Sequence, residues 1–350
     1  MPVVVCRPFS VTQIPANLSV LSPPFPPDAY GTPNWKEEYG PTLIRRGGQI
    51  LVDTKFTRLT GKPPVILPGM TPTTSFHGID LVAACNSAGF HGELAAGGLP
   101  LPEYFTAKVS ELVAKQPPGT GVTINMLYLN AYLWGFQFPL VCDMATQGIP
   151  IESITIAAGV PSPSVAEEIL QKLSASGISY VSLKPGSADA IREVLVMAKV
   201  AKPLNMSVCI QWTGGRGGGH HSFEDFHEPL LETYAEIRRH SNVVLVVGSG
   251  FGDWQASLPY LTGDWSLQFG RPYMPCDGVM FGSRCMVAKE AATSREVKEL
   301  IVNSPGVDAE KEWEASYNGD AGYALFFFNL APFHFDLTSE QTNKQNIAAL

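Results

Sequence analysis

Eight short apolar segments recur along this chain, and each ends in glycine or in a small polar residue. Such segments predict strands that are buried in the interior of the protein. Their starts are roughly 27 to 36 residues apart, which is the length of one strand, one loop and one helix. This spacing constrains the fold to repeated β–α units. The segments begin at Val65, Gly92, Gly121, Glu152, Tyr180, Ser207, Val243 and Gly278.

Helical patterns lie between the apolar segments. Residues 164–177 (SVAEEILQKLSASG) offer a serine N-cap, glutamates in the first turn and a closing glycine. Residues 187–201 repeat this arrangement, and residues 226–240 place basic side chains in the last turn, where they complement the helix dipole. Strands that alternate with helices in this way are typical of an α/β protein.

The count of eight strands predicts a (β/α)8 TIM barrel. A doubly wound sheet is the alternative, because it uses the same units, but its GxGxxG dinucleotide fingerprint is missing. His220 and Asp253 stand where the third glycine of that fingerprint would fall. We expect an extended N-terminal lead-in over residues 1–50, rich in proline and glycine, the barrel over 51–322 and an irregular C-terminal tail over 323–350.

Charge and hydropathy exclude several classes of protein. The net charge is −8, and no basic stripe for binding nucleic acid is visible. The small basic clusters Arg45–Arg46 and Arg238–Arg239 are predicted to lie on the solvated surface. No apolar run approaches the ~20 residues of a membrane helix, and the N-terminus does not resemble a signal peptide.

The six cysteines include no CxxC pair, so we expect no metal site. Cysteines scattered over a long chain without an export signal indicate reduced thiols and a cytoplasmic protein. Cys209 lies within the apolar segment SVCIQW and is predicted to be a small core residue.

In a TIM barrel the ligand binds at the C-terminal ends of the strands, so the residues after each strand are the candidates. The seventh and eighth predicted strands end in GSGFG and FGSR. Glycines at these two places let several backbone N–H groups converge on a phosphate. Either loop alone is compatible with a simple turn, but the pair predicts a phosphate site at Ser249, Gly250, Phe251, Gly282 and Ser283.

Glycines also follow the first, second, fourth and sixth predicted strands, which indicates a broad, flat ligand lying against backbone, such as a flavin. Asn125 and Lys184 would then face the polar edge of the flavin ring, where a lysine stabilises negative charge. The alternatives are a satisfied buried amide for Asn125 and a surface lysine for Lys184. The further candidate cofactor-binding residues are Pro68, Gly69, Met70, Thr71, Ala96, Gly97, Gly159, Gly218 and Gly219.

Two adjacent histidines, His220 and His221, follow the glycines after the sixth strand. Histidine titrates near neutral pH and suits proton delivery to a bound substrate. Both are therefore candidate catalytic residues, with His220 the stronger candidate. A capping role at the following helix and a metal site are the alternatives, and the metal site is disfavoured because Glu224 and His227 are predicted to lie on a surface helix.

Several motifs together resemble the enoyl reductase region of the fungal type I fatty acid synthase β subunit. They are GGRGGGHHSFED, VVGSGFGD, PCDGVMFGSR, VDTKFTRLTGKPP, PGMTPTTS and PPDAYGTPNWKEEYGP. The resemblance covers roughly residues 25–320 and is specific. More distantly, the Gly-Gly-His at Gly218–His220 resembles that of FMN-dependent nitronate monooxygenases and bacterial flavin enoyl reductases.

The resemblance implies a barrel that binds FMN and is reduced by NADPH. It implies that hydride passes to an enoyl thioester carried by acyl carrier protein or CoA, and that fatty acid synthase subunits are partners. His220 corresponds to the histidine of the family, and Ser249–Phe251 and Gly282–Ser283 to its phosphate loops.

Two other functions stay open from the sequence. One is a nitronate monooxygenase-like flavin oxidase, which needs no NADPH. The other is a non-catalytic scaffold, since the acyltransferase and dehydratase domains of a full β subunit are absent from the sequence and residues after about Gly322 do not match the family.

Overall fold

The computed structural model describes residues 34–46, 48–214 and 225–303, and it confirms the (β/α)8 barrel. Eight parallel strands close into a barrel in chain order, with the last strand paired to both the first and the seventh. Each strand coincides with one predicted apolar segment. The strands are β3 (Val65–Leu67), β4 (His91–Ala95), β5 (Val122–Leu127), β6 (Ile151–Ala157), β7 (Tyr180–Leu183), β8 (Ser207–Trp212), β9 (Val243–Val247) and β10 (Gly278–Met280).

Helices surround the barrel and cover its outer face. The three helices predicted from pattern are confirmed as α6 (Pro163–Ala175), α7 (Ala188–Ala201) and α8 (Glu228–Arg238). Ser187 caps α7 as expected, its side chain accepting from the Ala190 N–H at 3.1 Å. The predicted cap at Ser164 is wrong: α6 begins at Pro163, a residue suited to the first helical position, and Ser162 is its N-cap. The helices are α1 (Trp35–Tyr39), α2 (Lys55–Thr60), α3 (Ile79–Ser87), α4 (Pro102–Lys115), α5 (Ala131–Thr146), α6 (Pro163–Ala175), α7 (Ala188–Ala201), α8 (Glu228–Arg238), α9 (Trp254–Thr262), α10 (Ser283–Met286) and α11 (Arg295–Asn303).

The core has two layers. Outward-facing strand residues such as Ile124, Ile156 and Val208 pack against the helices in one large cluster. A smaller cluster fills part of the barrel interior and contains Phe56, Ile66, Cys209, Val244, Val246 and Met280. Cys209 is therefore a small core residue, as predicted.

The N-terminal segment closes the end of the barrel at which the strands begin. Helix α1 and the antiparallel hairpin of β1 (Thr42–Arg46) and β2 (Gln49–Asp53) precede α2, whose Phe56 enters the interior cluster. The predicted boundary at residue 50 falls inside β2. Residues 1–33 of the lead-in and the tail at 323–350 lie outside the described residues, and the domain limits stay predictions.

The expectation that the Arg238–Arg239 pair is solvated is wrong for Arg238. Its side chain is buried at the closed end of the barrel and forms an ion pair with Asp277 at 2.8 Å. The Arg238 side chain turns inward because Asp277 offers a buried counter-charge. Arg239 is exposed. Across the described ranges, none of the helices is long and apolar enough to cross a membrane.

Candidate active site

A buried carboxylate lies at the centre of the barrel, below its mouth, the end at which the strands terminate. Glu93, from the middle of β4, is fully buried. Its Oε2 accepts hydrogen bonds from the Gly69 N–H at 2.7 Å and from Asn125 Nδ2 at 2.9 Å. Its Oε1 accepts from Thr155 Oγ1 at 2.8 Å and from Gln211 Nε2. We call these five residues the Glu93 network, and it joins four strands of the barrel.

The Glu93 network holds a negative charge inside the barrel. Burial alone would raise the pKa of Glu93. The positive charges of Lys184 and His91 and the hydrogen bonds from Gln211 and Asn125 outweigh burial and hold the pKa below its usual value. Burial lowers the pKa of Lys184, and the charge of Glu93 opposes this effect. Lys184 follows the last residue of β7 and is half-buried, so it is not the fully exposed surface lysine of the alternative.

Asn125 is a buried amide whose nitrogen has a partner, as one of the sequence alternatives proposed. Its side chain lies directly beneath Gly69. A Cβ at Gly69 would come within 2.5 Å of Asn125 Cβ and Cγ. Because residue 69 has no side chain, its backbone can pack against Asn125. At this close approach the Gly69 N–H also reaches Glu93.

The other candidates after the first, second and fourth barrel strands border the mouth. Met70 Sδ lies 3.6 Å from the position that a Cβ would take at Gly282, so the loops after β3 and β10 meet. Gly159 has φ +115°, a conformation that favours glycine, and a Cβ there would be 2.9 Å from Leu129 Cγ. Of the remaining candidates, Pro68 and Ala96 are buried, Gly97 is half-buried and Thr71 is exposed.

The two predicted phosphate loops lie side by side, because β9 and β10 are neighbours. Gly250 has φ +71°. In the described part of the chain, the backbone amides of Ser249, Gly250, Gly282 and Ser283 have no backbone acceptor. The side chain of Phe251 is buried, and its ring packs against Tyr260 with ring centroids 4.6 Å apart. A ligand at this loop would therefore contact the backbone of Phe251 and not its ring.

The candidates His220, His221, Gly218 and Gly219 lie outside the described residues. Both ends of the loop that carries them are described. Trp212, the last residue of β8, donates from Nε1 to the Phe226 carbonyl at 2.8 Å. Phe226 also contacts Phe251, with ring centroids 6.0 Å apart. The described residues on the two sides of this loop, Trp212 and Phe226, therefore lie beside the predicted phosphate loop that follows β9. His227 is half-buried and hydrogen-bonded to Tyr260 at 2.9 Å, which corrects its predicted place on a surface helix.

Three members of the Glu93 network were missed by sequence reasoning: Glu93, Thr155 and Gln211. The available signal was a polar residue inside an otherwise apolar strand, in HGELA, ESITIA and SVCIQW. Alternation along a strand points such residues into the barrel. Their convergence on one carboxylate depends on the register between strands, which the sequence of a single strand does not contain.

Two fungal proteins match most of this chain. A fatty acid synthase subunit β of Aspergillus oryzae is 50% identical over 292 residues, which are 83% of this chain and 14% of that protein. A fatty acid synthase subunit β of Saccharomyces cerevisiae is 47% identical over 291 residues, again 83% of this chain and 14% of that protein. The chain is a homologue of a segment of the fungal fatty acid synthase β subunit.

Two further comparisons concern the family and the fold. The family described as "Fatty acid synthase subunit beta/Fas1-like, helical" matches residues 207–327. The enoyl reductase domain of MlnA, from the macrolactin biosynthesis cluster of Bacillus amyloliquefaciens, aligns with a TM-score of 0.51 and 14% identity, over 73% of this chain and 61% of that chain. At this identity the alignment shows a shared fold.

Proposed function

We propose that this barrel binds FMN and uses NADPH to reduce an enoyl thioester. The observation that carries the proposal is the buried Glu93 network, which holds Asn125 and the backbone of Gly69 at the floor of a mouth lined by glycines. Lys184 is half-buried at the end of β7. Homology to fatty acid synthase β subunits and the shared fold with an enoyl reductase domain support it.

The residues at the mouth fit FMN. The phosphate would be held by the backbone N–H groups of Ser249, Gly250, Gly282 and Ser283, which lack backbone acceptors in the described part of the chain. The backbone around Gly69 and Gly97 would lie under the ring, and Gly159 would border it. A flat ring needs such close approach to backbone, which side chains at these positions would obstruct.

Lys184 and Asn125 would face the polar edge of the ring. A cation in a site from which water is excluded stabilises negative charge far better than one in water. When bound, FMN would accept hydride from NADPH and pass it to the β-carbon of the enoyl group. The protein's part is to orient the ring and to hold positive charge near it.

His220 would supply a proton to the α-carbon of the substrate, or polarise the thioester carbonyl. His221, directly beside it, is the second candidate for this role. The attachment of their loop beside the first phosphate loop supports this placement. The substrate would be an enoyl group on acyl carrier protein or CoA, and fatty acid synthase subunits would be partners in the cytoplasm.

The visible spectrum of the purified chain, before and after anaerobic addition of NADPH, tests the proposal. We expect flavin absorbance that bleaches with NADPH, and then returns when an enoyl thioester is added. Bound flavin that ignores NADPH but consumes oxygen with a nitronate would favour the flavin oxidase. A colourless chain that cannot be loaded with FMN would contradict both enzymes and favour the scaffold.

A further inference from the structure

We propose that Tyr260 is a positioning residue, which holds the loop after β9 in the shape that binds a phosphate group. We call residues 248–253 the β9 loop. That the phosphate belongs to FMN rests on the proposed function. The position of the loop itself is a property of the protein and can be measured without any ligand.

The side chain of Phe251 connects the β9 loop to a cluster of packed aromatic rings. Phe251 is 9% exposed. Its ring centroid lies 4.6 Å from that of Tyr260 and 6.0 Å from that of Phe226, and the centroids of Tyr260 and Phe226 are 5.6 Å apart. Side chains packed at the density of a protein interior move little without displacing their neighbours. The position of the β9 loop therefore depends on where the Tyr260 ring lies.

The hydroxyl group of Tyr260 is held by His227. Tyr260 Oη lies 2.9 Å from His227 Nε2, and the planes of the two rings are 12° apart. His227 is fixed in turn at the start of α8, where the Asp225 carboxylate accepts from the His227 N–H at 2.6 Å and from the Glu228 N–H at 2.9 Å. Aromatic contacts are favourable over roughly 4.5 to 7 Å of centroid separation, whereas a hydrogen bond needs its two atoms within about 3.2 Å. The hydroxyl therefore constrains Tyr260 more tightly than ring contacts alone.

Tyr260 is also anchored to the segment before β10. Its carbonyl accepts from the Cys276 N–H at 2.7 Å. Its ring stacks on that of Trp265, with planes 16° apart and centroids 5.6 Å apart, and Trp265 Nε1 donates to the Met274 carbonyl at 2.8 Å. Tyr260 is thus held at its backbone, its ring and its hydroxyl. Of these three, the hydroxyl can be removed by one substitution that leaves the other two in place.

The backbone amides of the β9 loop make phosphate binding sensitive to this support. Gly250 has φ +71°, and within the described ranges neither its N–H nor that of Ser249 has a backbone acceptor. Neighbouring N–H groups bind an anion when they converge on it, and each bond requires a donor–acceptor distance of about 2.7 to 3.2 Å. A small displacement of the loop weakens several of these bonds together. Loss of the Tyr260 hydroxyl should therefore reduce phosphate affinity, although its partner is His227 and not the ligand.

Two variants that each remove one tyrosine hydroxyl test the proposal. Tyr260→Phe deletes the group bonded to His227 and keeps the ring. Tyr234→Phe is the matched control, because the Tyr234 hydroxyl donates at 2.6 Å to the carbonyl of Pro275, at the closed end of the barrel. The ligands are FMN and riboflavin, which has the same ring system without the phosphate. Their affinities for the full chain are measured by quenching of flavin fluorescence.

We expect Tyr260→Phe to weaken FMN binding by about 2- to 10-fold, which is the net worth of one hydrogen bond expressed as a change in Kd. Riboflavin should bind to Tyr260→Phe as it does to wild type, and Tyr234→Phe should leave both affinities unchanged. Unchanged FMN affinity in Tyr260→Phe overturns the proposal. An equal loss for FMN and riboflavin also overturns it, because the effect would then not act through the phosphate.

A measurement without ligand separates this proposal from the proposed function. The backbone amide signal of Gly250 is followed by NMR in the ligand-free chain labelled with 15N-glycine. It is assigned from its loss in Gly250→Asn, since asparagine tolerates a positive φ. The signal should shift in Tyr260→Phe and stay in place in Tyr234→Phe, and an unchanged signal in Tyr260→Phe overturns the proposal. A wild-type chain that binds neither flavin would contradict the proposed function and leave this result for the β9 loop standing.

Discussion

Gly69 is a predicted cofactor-binding residue that, in the structure, packs against other residues of the barrel interior. It was predicted to bind a cofactor because it follows a strand in PGMT. In the structure a side chain at position 69 would collide with Asn125, and the Gly69 N–H bonds to Glu93. Glycine is thus required at this position with or without a ligand.

Gly69→Ala should therefore destabilise the protein itself. The added methyl must displace Asn125 from Glu93, and overpacking of this kind costs about 1 to 3 kcal/mol of the free energy of unfolding. Gly135→Ala is the control, because a Cβ there meets nothing within 4 Å inside helix α5. Urea unfolding of the two variants should show a loss only for Gly69→Ala. Equal stability of both would contradict the packing explanation.

For single residues, the sequence predicted which positions belong to the candidate site better than it predicted what each residue does there. Asn125 and Lys184 were identified because they close predicted apolar segments, and the structure brings Asn125 into contact with Glu93. Lys184 directly follows β7. Glu93 itself was not identified, because it lies within a strand and its importance comes from partners up to 118 residues away. Only the closed barrel shows that these side chains meet.

Helix α2 closes the end of the barrel at which the strands begin, and its first residue, Lys55, is half-buried. Lys55 Nζ donates to the Val243 carbonyl at 2.6 Å, at the start of β9. Burial lowers the pKa of Lys55 to about 8, although the charge of Asp277 opposes this effect. Since the pKa of an unfolded lysine is about 10.4, the unfolded chain binds more protons between these two values. Lys55 should therefore make the protein more stable as pH rises through this window.

Lys55→Met should remove this pH dependence. Between pH 8 and 10.5 the free energy of unfolding of wild type should rise by up to about 3 kcal/mol relative to the variant. Chemical denaturation at several pH values measures the difference. Lys172→Met, at an exposed position of α6, corrects for other groups that titrate in this range. Parallel curves for wild type and Lys55→Met would show that burial of Lys55 does not affect its charge.

At the scale of elements, all eight barrel strands were predicted because each is a short apolar run closed by small residues. The short helix α1 and the hairpin of β1 and β2 were not predicted. They lie in a region rich in proline and glycine whose apolar residues do not repeat. Helix α1 is held instead by contacts with distant parts of the chain, such as Trp35 against Tyr234, with ring centroids 4.9 Å apart.

At the scale of the whole molecule, the buried ion pair of Arg238 and Asp277 connects elements that are far apart in the chain. Arg238 of α8 contacts Asp277, which precedes β10, and Asp277 Oδ2 also accepts from the Leu245 N–H of β9 at 2.7 Å. The Arg238 guanidinium lies 4.2 Å from the ring centroid of Tyr39, and the Tyr39 hydroxyl donates to the Arg238 carbonyl at 3.0 Å. The sequence contains a basic cluster at this point but no sign of its partner.

Removal of one member of this pair should affect the stability of the whole barrel. Arg238→Met leaves the Asp277 charge buried without its partner, which costs about 3 to 5 kcal/mol of the free energy of unfolding. Arg239→Met is a matched control at the adjacent, exposed arginine, and it should change stability by less than about 0.5 kcal/mol. Arg238→Met with Asp277→Leu should recover much of the loss, since no charge is left buried. Urea unfolding distinguishes these outcomes, and equal midpoints for the two single arginine variants would mean that Arg238 contributes no more than a solvated residue.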